Sequence, residues 1–425
     1  MSAPRPAARR SPLVAVFHDV GSASPLTILS AARRICDVLF IGDLRQPHVA
    51  AGLAAVQTDA RVLDVAGRSE CARLDVLREV APDAVVTFSE YQLGATSQAA
   101  AALGVPFHGP ATVKLLTDKI AQRRALAHAG VDATPCASID DDPVAVLDTV
   151  GLPAVVKPRA GAGSAHTVRV DTREEFRAVV AGLPRGGAFV AERLLSGDPN
   201  VAGRACGDYV SVESVTTPAG SQQVCMTGKF PLAPPFRETG MFLPSTLSGE
   251  AAAEVLALER AALMALGVRH GITHTEIKLT AHGPRIIEVN GRLGGYVPEI
   301  LRRATGVDLV AIALQVALGG EPKLPPRAYR GVTFQLFMTP PMHTRRLVAL
   351  DGMQELAALP GIRHVEVRGR PGQALDWRQG TESHLGVVYG SASNHSALWE
   401  LADSVTATAR PRYDADRLAR EAVGV

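Results

Sequence analysis

The sequence has few cysteines, and none of them is spaced as one of a pair. Five occur in 425 residues, at Cys36, Cys71, Cys136, Cys206 and Cys225. This scatter offers neither a disulfide framework nor the paired spacing of a zinc site. Unpaired cysteines are typical of proteins in a reducing cytosol, so we expect a cytoplasmic location.

The chain also lacks an excess of charge of either sign. It has 44 lysines and arginines against 42 aspartates and glutamates, which gives a net charge of +2. Nothing in this balance favours nucleic acid or an anionic membrane surface as a partner. No run approaches the roughly 20 apolar residues of a membrane span. Residues 1–10 are basic, but no apolar core follows them, so we interpret them as a flexible arm and not as a signal peptide.

Several catalytic signatures are missing as well. The loop after the first predicted strand, residues 18–24, lacks the Gly-x-Gly-x-x-Gly of a dinucleotide site. The Gly-rich turn at residues 159–167 is not a P-loop, because the Walker pattern is absent and no helix follows. No Ser-His-Asp or Cys-His arrangement is evident. The later histidines show no metal spacing: His343, His364, His384 and His395.

What the sequence does contain, over its first 110 residues, is an alternation of apolar runs with helical stretches. Residues 13–17, 37–41 and 84–88 predict strands, and residues 91–103 predict an Ala-rich helix. The alternation predicts an open α/β domain with a parallel sheet, one of about three domains in a chain of this length. His18 and Asp19 follow the first strand, at the edge where such sheets bind ligands. As a lone pair, they are more often loop residues without chemistry.

The pattern changes near residue 111. Residues 111–129 predict one amphipathic helix that ends before Gly130. Residues 152–158 then predict a strand with Lys157 near its end, and the Gly-rich turn leads into a second strand at 168–170. Small side chains let backbone N–H groups approach an anion closely, and Lys157 adds a positive charge. The alternative interpretation is a flexible hairpin turn without a ligand.

The segments that follow carry weaker signals. Residues 188–197 predict a strand, an acidic residue (Glu192) and a hinge that can clamp a flat ring. Residues 208–215 alternate strictly and predict a half-buried strand. Beyond residue 329, residues 332–337 and 365–367 predict strands and 396–407 a helix, so we expect a small α+β cap.

The most informative stretch is residues 288–292. Side chains alternate along an extended backbone, so Glu288, Asn290 and Arg292 point to one face. Residues 274–279 predict a second strand, and a hairpin centred near residue 282 places Glu276 opposite Glu288 and His274 opposite Asn290. At ~5 Å and an effective dielectric of about 20, two opposed carboxylates cost on the order of 3 kcal/mol. A cation held between them removes this cost, and hard oxygen ligands suit Mg²⁺. The alternative is a surface hairpin with solvated charges.

Taken together, these motifs resemble the ATP-grasp superfamily of carboxylate-amine ligases. The stretches at 207–213, 235–240 and 243–245 are most similar to bacterial L-amino acid ligases. The ordered motifs that carry the resemblance are Asp118-Lys119, Lys157 with its Gly-rich turn, Glu192 with Ser196-Gly197, His274-Thr275-Glu276, and Glu288 to Gly295. The resemblance implies a mixed α/β and α+β protein. Its ATP-grasp domain (111–328) follows an open parallel α/β domain (1–110) and precedes a small α+β cap (329–425).

The resemblance also implies a nucleotide site and a metal site. Lys119 and Lys157 would hold the α- and β-phosphates, and residues 160–167 would fold over the γ-phosphate through Gly161, Gly163, Ser164 and Ala165. Glu192 and the backbone of Arg193 and Leu194 would meet adenine. The acid that holds the ribose would be Asp198 or Asp208. Mg²⁺, with Mn²⁺ as an alternative, would be bound by Glu276, Glu288 and Asn290.

Its implied catalytic residues are Arg292, which would stabilise an acyl phosphate and a tetrahedral intermediate, and Lys157. Glu238 would bind a substrate amino group, and Gly294 and Gly295 would line the substrate site. Met241 stands where related ligases can carry a polar group, which weakens any transfer of substrate preference. The expected partners are a small-molecule carboxylate and an amine, and the oligomeric state, a homodimer included, stays open.

Three functions fit this pattern. The favoured one is an ATP-dependent ligase that joins an amino acid carboxylate to an amine through an acyl phosphate, as a dipeptide synthase does. A second keeps the fold but activates bicarbonate or a non-amino-acid carboxylate. The third is a non-catalytic nucleotide-binding protein. The intact set Lys157, Glu276, Glu288, Asn290 and Arg292 argues against the third.

Overall fold

The computed structural model describes residues 11–139, 143–184, 186–324 and 328–415. The basic arm at residues 1–10 lies outside the described residues. Within them the strands form four sheets. No helix in these ranges combines the length and the apolar character that crossing a membrane requires.

The N-terminal part of the chain is an open α/β unit, as predicted. Its sheet is parallel, with strand order β3-β2-β1-β4. Val14 and Val16 of β1 join one apolar cluster and Leu13 and Phe17 join another, because helices cover both faces of the sheet. The sequence did not reveal the short strand β3. The elements are β1 Leu13–Phe17, α1 Pro25–Ala32, β2 Asp37–Gly42, α2 Pro47–Ala54, β3 Arg61–Asp64, α3 Glu70–Val80, β4 Ala84–Thr87 and α4 Leu93–Leu103.

The single helix predicted at 111–129 is wrong. The chain forms two helices, α5 Pro110–Thr117 and α6 Lys119–His128, that meet at Asp118. Asp118 has an extended backbone (φ −112°, ψ 107°), and its carboxylate accepts hydrogen bonds from the backbone N–H groups of Ile120 and Ala121. An aspartate in this position caps a new helix more favourably than it continues an old one. The break places Lys119 in the first turn of α6.

The next unit is a four-stranded antiparallel sheet with strand order β5-β8-β6-β7. It confirms the strands predicted around Lys157, at 168–170 and around Glu192. Its apolar side packs around Phe176, Val150 and Val156. The elements are β5 Cys136–Ser138, α7 Pro143–Val150, β6 Ala154–Pro158, β7 Val168–Val170, α8 Arg173–Ala181 and β8 Phe189–Arg193.

A sheet of eight strands forms the rest of the scaffold, in the order β13-β12-β9-β10-β11-β14-β17-β16. The strand predicted at 208–215 is present as β9, Tyr209–Thr217, but the prediction that it is half-buried is wrong, because all nine of its residues are buried. Strands lie on both sides of β9, and its polar residues Ser211 and Glu213 face other buried groups. The first elements are α9 Pro199–Ala202, β9 Tyr209–Thr217, β10 Gly220–Lys229, β11 Gly240–Leu243, α10 Gly249–Ala265, β12 Gly271–Thr280, β13 Gly283–Asn290, α11 Val297–Thr305 and α12 Leu309–Ala317.

The C-terminal residues contain strands and helices, as expected of an α+β segment, but three of their strands continue the large sheet. Phe334 of β14 pairs with Phe242 of β11, so the large sheet contains hydrogen-bonded strands from both sides of the predicted boundary at residue 329. The division into 1–110, 111–328 and 329–425 therefore stays a prediction. The remaining elements are β14 Val332–Phe337, β15 Thr344–Asp351, α13 Met353–Ala358, β16 Ile362–Val367, β17 Gly386–Ala392, α14 His395–Thr408 and β18 Arg410–Ala415. Short 3₁₀ turns occur at Glu90–Gln92 and Trp377–Ser383.

Candidate active site

A cavity of about 340 Å³ has walls from both the four-stranded and the eight-stranded antiparallel sheets. It gathers most of the polar residues that the sequence singled out, although they are spread over 174 positions of the chain from residue 119 to residue 292. The predicted site residues that line it include Lys119, Lys157, Glu192, Glu238, Glu276, Glu288, Asn290 and Arg292. The clustering makes this cavity the candidate active site.

The predicted hairpin is present with the predicted register. Strands β12 and β13 pair antiparallel, with Glu276 opposite Glu288 and His274 opposite Asn290. Thr280 pairs with Gly283 at the turn, and a bulge follows Glu276. The side chains of Glu276, Glu288 and Asn290 all line the cavity, as does Arg292 just beyond the strand.

Each carboxylate of this hairpin has a cationic neighbour. Glu288 Oε1 lies 3.1 Å from Lys119 Nζ, and Glu276 Oε1 lies 3.3 Å from His274 Nε2. Burial opposes ionisation of Glu276, but the hydrogen bond and charge of His274 outweigh it and lower the pKa of Glu276 to about 2. The two carboxylate side chains and the amide oxygen of Asn290 form a donor set that fits Mg²⁺. No group of three or more His, Cys, Asp or Glu side chains placed to hold a metal occurs within the described part of the chain.

Arg292 is held rigidly by its neighbours. Its Nε lies 3.1 Å from Glu90 Oε2, its Nη1 donates to the Leu293 carbonyl at 2.9 Å and its Nη2 donates to Asn290 Oδ1 at 3.3 Å. Glu90 is buried, and burial raises the pKa of its carboxyl group. Sequence reasoning missed Glu90; at this edge of the sheet it considered only His18 and Asp19, and it interpreted them as loop residues. All three residues follow strands of the parallel sheet, at the edge formed by the carboxyl ends of the strands. Ligands bind at this edge in such sheets, so the rule predicted the correct edge but did not single out Glu90.

His18 and Asp19 do not line the candidate site. Asp19 binds His48 at 2.7 Å and Gln92 at 3.1 Å, in a separate cleft on the N-terminal unit. This arrangement agrees with the interpretation of the pair as loop residues.

A buried ion pair, formed by His274 and Glu213, lies next to Glu276 of the hairpin. His274 Nδ1 hydrogen bonds to Glu213 on β9. Burial alone would lower the pKa of His274, but the Glu213 carboxylate outweighs it and raises that pKa to about 9. Gly294 closes over the pair: its N–H donates to Glu213 Oε2 at 3.2 Å, and a Cβ there would lie 2.4 Å from His274 Nδ1. Within the described residues, neither Gly294 nor Gly295 belongs to the cavity wall, so their role in substrate binding stays a prediction.

The part of the cavity wall that the four-stranded sheet forms contains a second buried charge cluster. Glu192 on β8 binds Lys157 Nζ at 2.8 Å and Arg123 Nη2 at 3.0 Å. Burial would raise the pKa of Glu192, but the two cations outweigh it and lower that pKa to about 2. The Glu192 carboxylate is thus held by two cations. Its contact with adenine stays a prediction. Arg123, which the sequence did not single out, also donates to the Ile286 carbonyl at 2.6 Å and ties α6 to β13.

The Gly-rich turn borders the cavity, and residues 160–167 all line the wall; that they bind phosphate stays a prediction. We call these residues the phosphate loop. Gly161, Gly163, Ser164 and His166 all have positive φ angles. The Gly161 carbonyl accepts a hydrogen bond from Lys119 Nζ at 3.2 Å. Backbone conformations of this kind expose successive N–H groups to an anion.

The two acids proposed for the ribose have other partners. Asp198 accepts from the N–H of Asn200 at 2.8 Å and caps α9. Asp208 binds Lys278 Nζ at 2.6 Å, and Lys278 lines the cavity. Neither acid is among the described residues of the wall, so the choice between them stays open.

Glu238 lies on the segment 232–247, which we call the substrate loop. Its Oε1 is 2.5 Å from Lys229 Nζ, and Lys229 is only 2% exposed. The Lys229 ammonium also lies 5.6 Å from the centre of the Tyr209 ring. Sequence reasoning missed Lys229, because a lysine in a strand carries no motif of its own, and it quoted Tyr209 only within the stretch 207–213, without a role.

The comparisons with known proteins agree with the geometry. Residues 150–298 match the ATP-grasp domain family. The crystal structure of an L-amino acid ligase from Bacillus licheniformis superposes with a TM-score of 0.77, covering 96% of this chain and all of that chain at 21% identity. This likeness confirms the expected ATP-grasp fold.

Two curated relatives are ligases of amino acids by name. Alanine–anticapsin ligase of Bacillus subtilis (strain 168) is 28% identical over 56% of this chain and 54% of its own length. The L-arginine-specific L-amino acid ligase of Bacillus subtilis is 22% identical over 77% of this chain and 79% of its own length. The chain spans only 29% to 60% of the length of the first curated relatives that it matches.

Proposed function

We propose that this protein is an ATP-dependent ligase that joins a carboxylate, preferably of an amino acid, to an amine. The observation that carries the proposal is one cavity in which two lysines, a pair of opposed carboxylates and a fixed arginine converge. The names of the two ligase relatives and the fold of the Bacillus licheniformis enzyme support the same class.

The two lysines suit the binding of a polyphosphate. Lys119 and Lys157 are both nearly buried, and each has a carboxylate neighbour, Glu288 or Glu192. Because the lysines approach from different walls, they can contact neighbouring phosphates of ATP. The phosphate loop would add backbone N–H groups from above. Charge neutralisation of this kind is what phosphoryl transfer requires of a protein.

The carboxylates of Glu276 and Glu288 and the oxygen of Asn290 would hold the metal. When bound there, Mg²⁺ would neutralise charge on the β- and γ-phosphates. His274 on β12 and Glu213 on the neighbouring strand β9 would fix the orientation of Glu276, because His274 hydrogen bonds to both acids. Outer partners of this sort orient metal ligands in proteins generally.

The reaction needs no nucleophilic side chain. A carboxylate oxygen of the first substrate attacks the γ-phosphorus, the bond from that phosphorus to the β-γ bridging oxygen breaks, and ADP leaves. The amine then attacks the acyl carbon, the carbon–oxygen bond to phosphate breaks, and inorganic phosphate and a proton are released. The protein contributes position and charge, which account for most of the rate gain in such steps.

Arg292 would stabilise the charge that develops in both steps. Its guanidinium is fixed by Glu90, Asn290 and the Leu293 carbonyl, so it does not need to reorganise as the oxyanion forms. Glu238 would bind the amino group of the amino acid. That role requires the Glu238 carboxylate to share its charge between the substrate and Lys229.

The test is a matrix of amino acids and amines incubated with ATP and Mg²⁺, with ADP release and product masses measured in parallel. The proposal predicts ADP release that requires one carboxylate and one amine and yields an amide. Release with bicarbonate alone would favour a carboxylase of the same fold. A lack of ADP release across the matrix, with no binding of ADP, would contradict the proposal.

A further inference from the structure

The phosphate loop is attached to a C-terminal segment far along the chain. The N–H of Thr381 donates to the Gly163 carbonyl at 2.9 Å, and the N–H of His166 donates to the Arg378 carbonyl at 2.9 Å. We call residues 378–383 the bridging segment. It lies within the Trp377–Ser383 turns, which are interrupted at Gly380.

Gly380 is the point of closest approach. Its backbone has φ 67° and ψ −140°, a conformation that other residues rarely adopt. A Cβ at this position would lie 2.1 Å from the Gly163 carbonyl oxygen and 2.7 Å from the Ala165 nitrogen. The two backbones therefore pack against each other with no room for a side chain.

The bridging segment also holds the substrate loop. The Thr381 hydroxyl accepts a hydrogen bond from the N–H of Glu238 at 3.2 Å, and Thr381 itself lines the cavity. The neighbouring Arg237 is buried and donates to the Pro340 carbonyl at 2.7 Å. The Ser383 hydroxyl, 3.5 Å from Arg237 Nη1, donates to the Gly380 carbonyl at 2.7 Å. The same few residues thus contact both loops.

We propose that the bridging segment couples the two loops, with Thr381 as the positioning residue that links nucleotide binding to the placement of Glu238. The backbone N–H of Thr381 hydrogen bonds to the phosphate loop, and its hydroxyl hydrogen bonds to the substrate loop. A nucleotide that orders the phosphate loop would then also order the substrate loop, and the reverse must hold equally. This proposal rests on the proposed function, since it assigns the nucleotide to the phosphate loop and the substrate to Glu238.

Two substitutions separate the functions of the segment. Thr381→Val keeps the shape and the backbone N–H that binds Gly163, but it removes the hydroxyl that accepts from Glu238. Thr381→Ser restores that hydroxyl and serves as the rescue. Gly380→Ala instead pushes the phosphate loop away.

The matched control for Gly380→Ala is Gly372→Ala. Gly372 also has a positive φ, 88°, but a Cβ there meets no atom within 4 Å. Both variants therefore carry the backbone strain of alanine at a positive φ, and only Gly380→Ala adds the clash with the phosphate loop.

The first experiment is hydrogen–deuterium exchange of the full chain with and without ADP and Mg²⁺. In the wild type we expect ADP to slow exchange in peptides covering both 160–168 and 232–243. In Thr381→Val the response at 160–168 should persist, and the response at 232–243 should fall about fivefold, the worth of one neutral hydrogen bond. Thr381→Ser should behave as the wild type.

The outcomes separate the two proposals. If ADP slows exchange at 160–168 alone in the wild type, the coupling is wrong while nucleotide binding stands. If Thr381→Val leaves both responses as in the wild type, Thr381 is not the link. If ADP changes neither loop, the nucleotide assignment fails, and the coupling fails with it.

A binding measurement gives an independent test. In Thr381→Val, amino acid binding in the presence of ADP and Mg²⁺ and ADP binding in the presence of the amino acid should weaken by the same factor, about five, while the Kd of ADP alone stays unchanged. Gly380→Ala should raise the Kd of ADP alone relative to Gly372→Ala. A higher Kd of ADP alone in Thr381→Val would indicate a general structural defect, and unchanged binding of both ligands would show that Thr381 does not couple them; either result would overturn the assignment.

Discussion

Glu276 and Glu288 lie directly opposite each other across the β12–β13 hairpin, and both side chains face the candidate active site. Like charges in this relation destabilise a hairpin unless a cation compensates them. Here Lys119 contacts one acid and His274 contacts the other. The hairpin thus holds two charge-compensated carboxylates at the cavity wall, where they can serve a ligand.

The variant Glu288→Gln tests the metal assignment. It keeps the side-chain volume and removes one charge from the proposed metal site, so we expect the turnover rate to fall on the order of 10²- to 10³-fold. ADP release measures the loss, and thermal unfolding should show an intact fold. The control is Glu254→Gln, at an exposed position of α10. Full activity in Glu288→Gln would contradict the assignment.

Arg292→Lys tests whether the fixed guanidinium matters beyond its charge. A lysine keeps the charge but cannot contact Glu90, Asn290 and the Leu293 carbonyl together. We expect kcat to fall roughly 10²-fold while the affinity for ADP, measured by calorimetry, changes less than about twofold. A large loss of ADP affinity with unchanged kcat would instead assign Arg292 to the nucleotide.

The pH dependence of stability should report the Glu192 cluster. The pKa of Glu192 is lowered to about 2 in the folded state, below its ordinary value near 4.5. Its contribution to the free energy of unfolding is therefore complete above about pH 4.5 and is lost as the pH falls toward 2. The full contribution is about 3 kcal/mol.

Urea unfolding of the wild type and Glu192→Gln between pH 7 and pH 2.5 measures this effect. The variant leaves Arg123 and Lys157 without their shared carboxylate, so it should be less stable at pH 7. The difference in free energy of unfolding should shrink as the pH falls below 4.5. A difference that stays constant over this range would show that the cluster does not lower the pKa of Glu192.

Gly294→Ala tests the packing against His274. A Cβ there would lie 2.4 Å from His274 Nδ1 and 2.8 Å from Glu213 Oε1. Crowding of a buried ion pair should cost about 2–4 kcal/mol of stability. The matched control is Gly295→Ala, where a Cβ meets no atom within 4 Å. Differential scanning calorimetry should show a lower Tm for Gly294→Ala alone, and equal Tm values would contradict the packing account.

Local patterns explain what the sequence predicted well. The hairpin register followed from two-residue periodicity and the turn near His282, both of which are properties of neighbouring residues. The parallel N-terminal strands followed from continuous apolar runs for the same reason.

Long-range contacts explain what the sequence did not reveal. The break at Asp118 was missed because its pairing with Arg159 joins distant parts of the chain, while the helical pattern continues across it. The burial of β9 depends on strands and loops that come later. The attachment of the phosphate loop to the bridging segment consists of backbone hydrogen bonds, which leave no side-chain signature in the sequence.

The most direct test of the proposed mechanism follows oxygen from the carboxylate substrate into phosphate. An amino acid labelled with ¹⁸O in its carboxylate is incubated with ATP, Mg²⁺ and the amine that the matrix identifies, and the released phosphate is analysed by mass spectrometry. The acyl phosphate route predicts one ¹⁸O atom per phosphate formed. Phosphate without ¹⁸O, released together with the amide product, would contradict it.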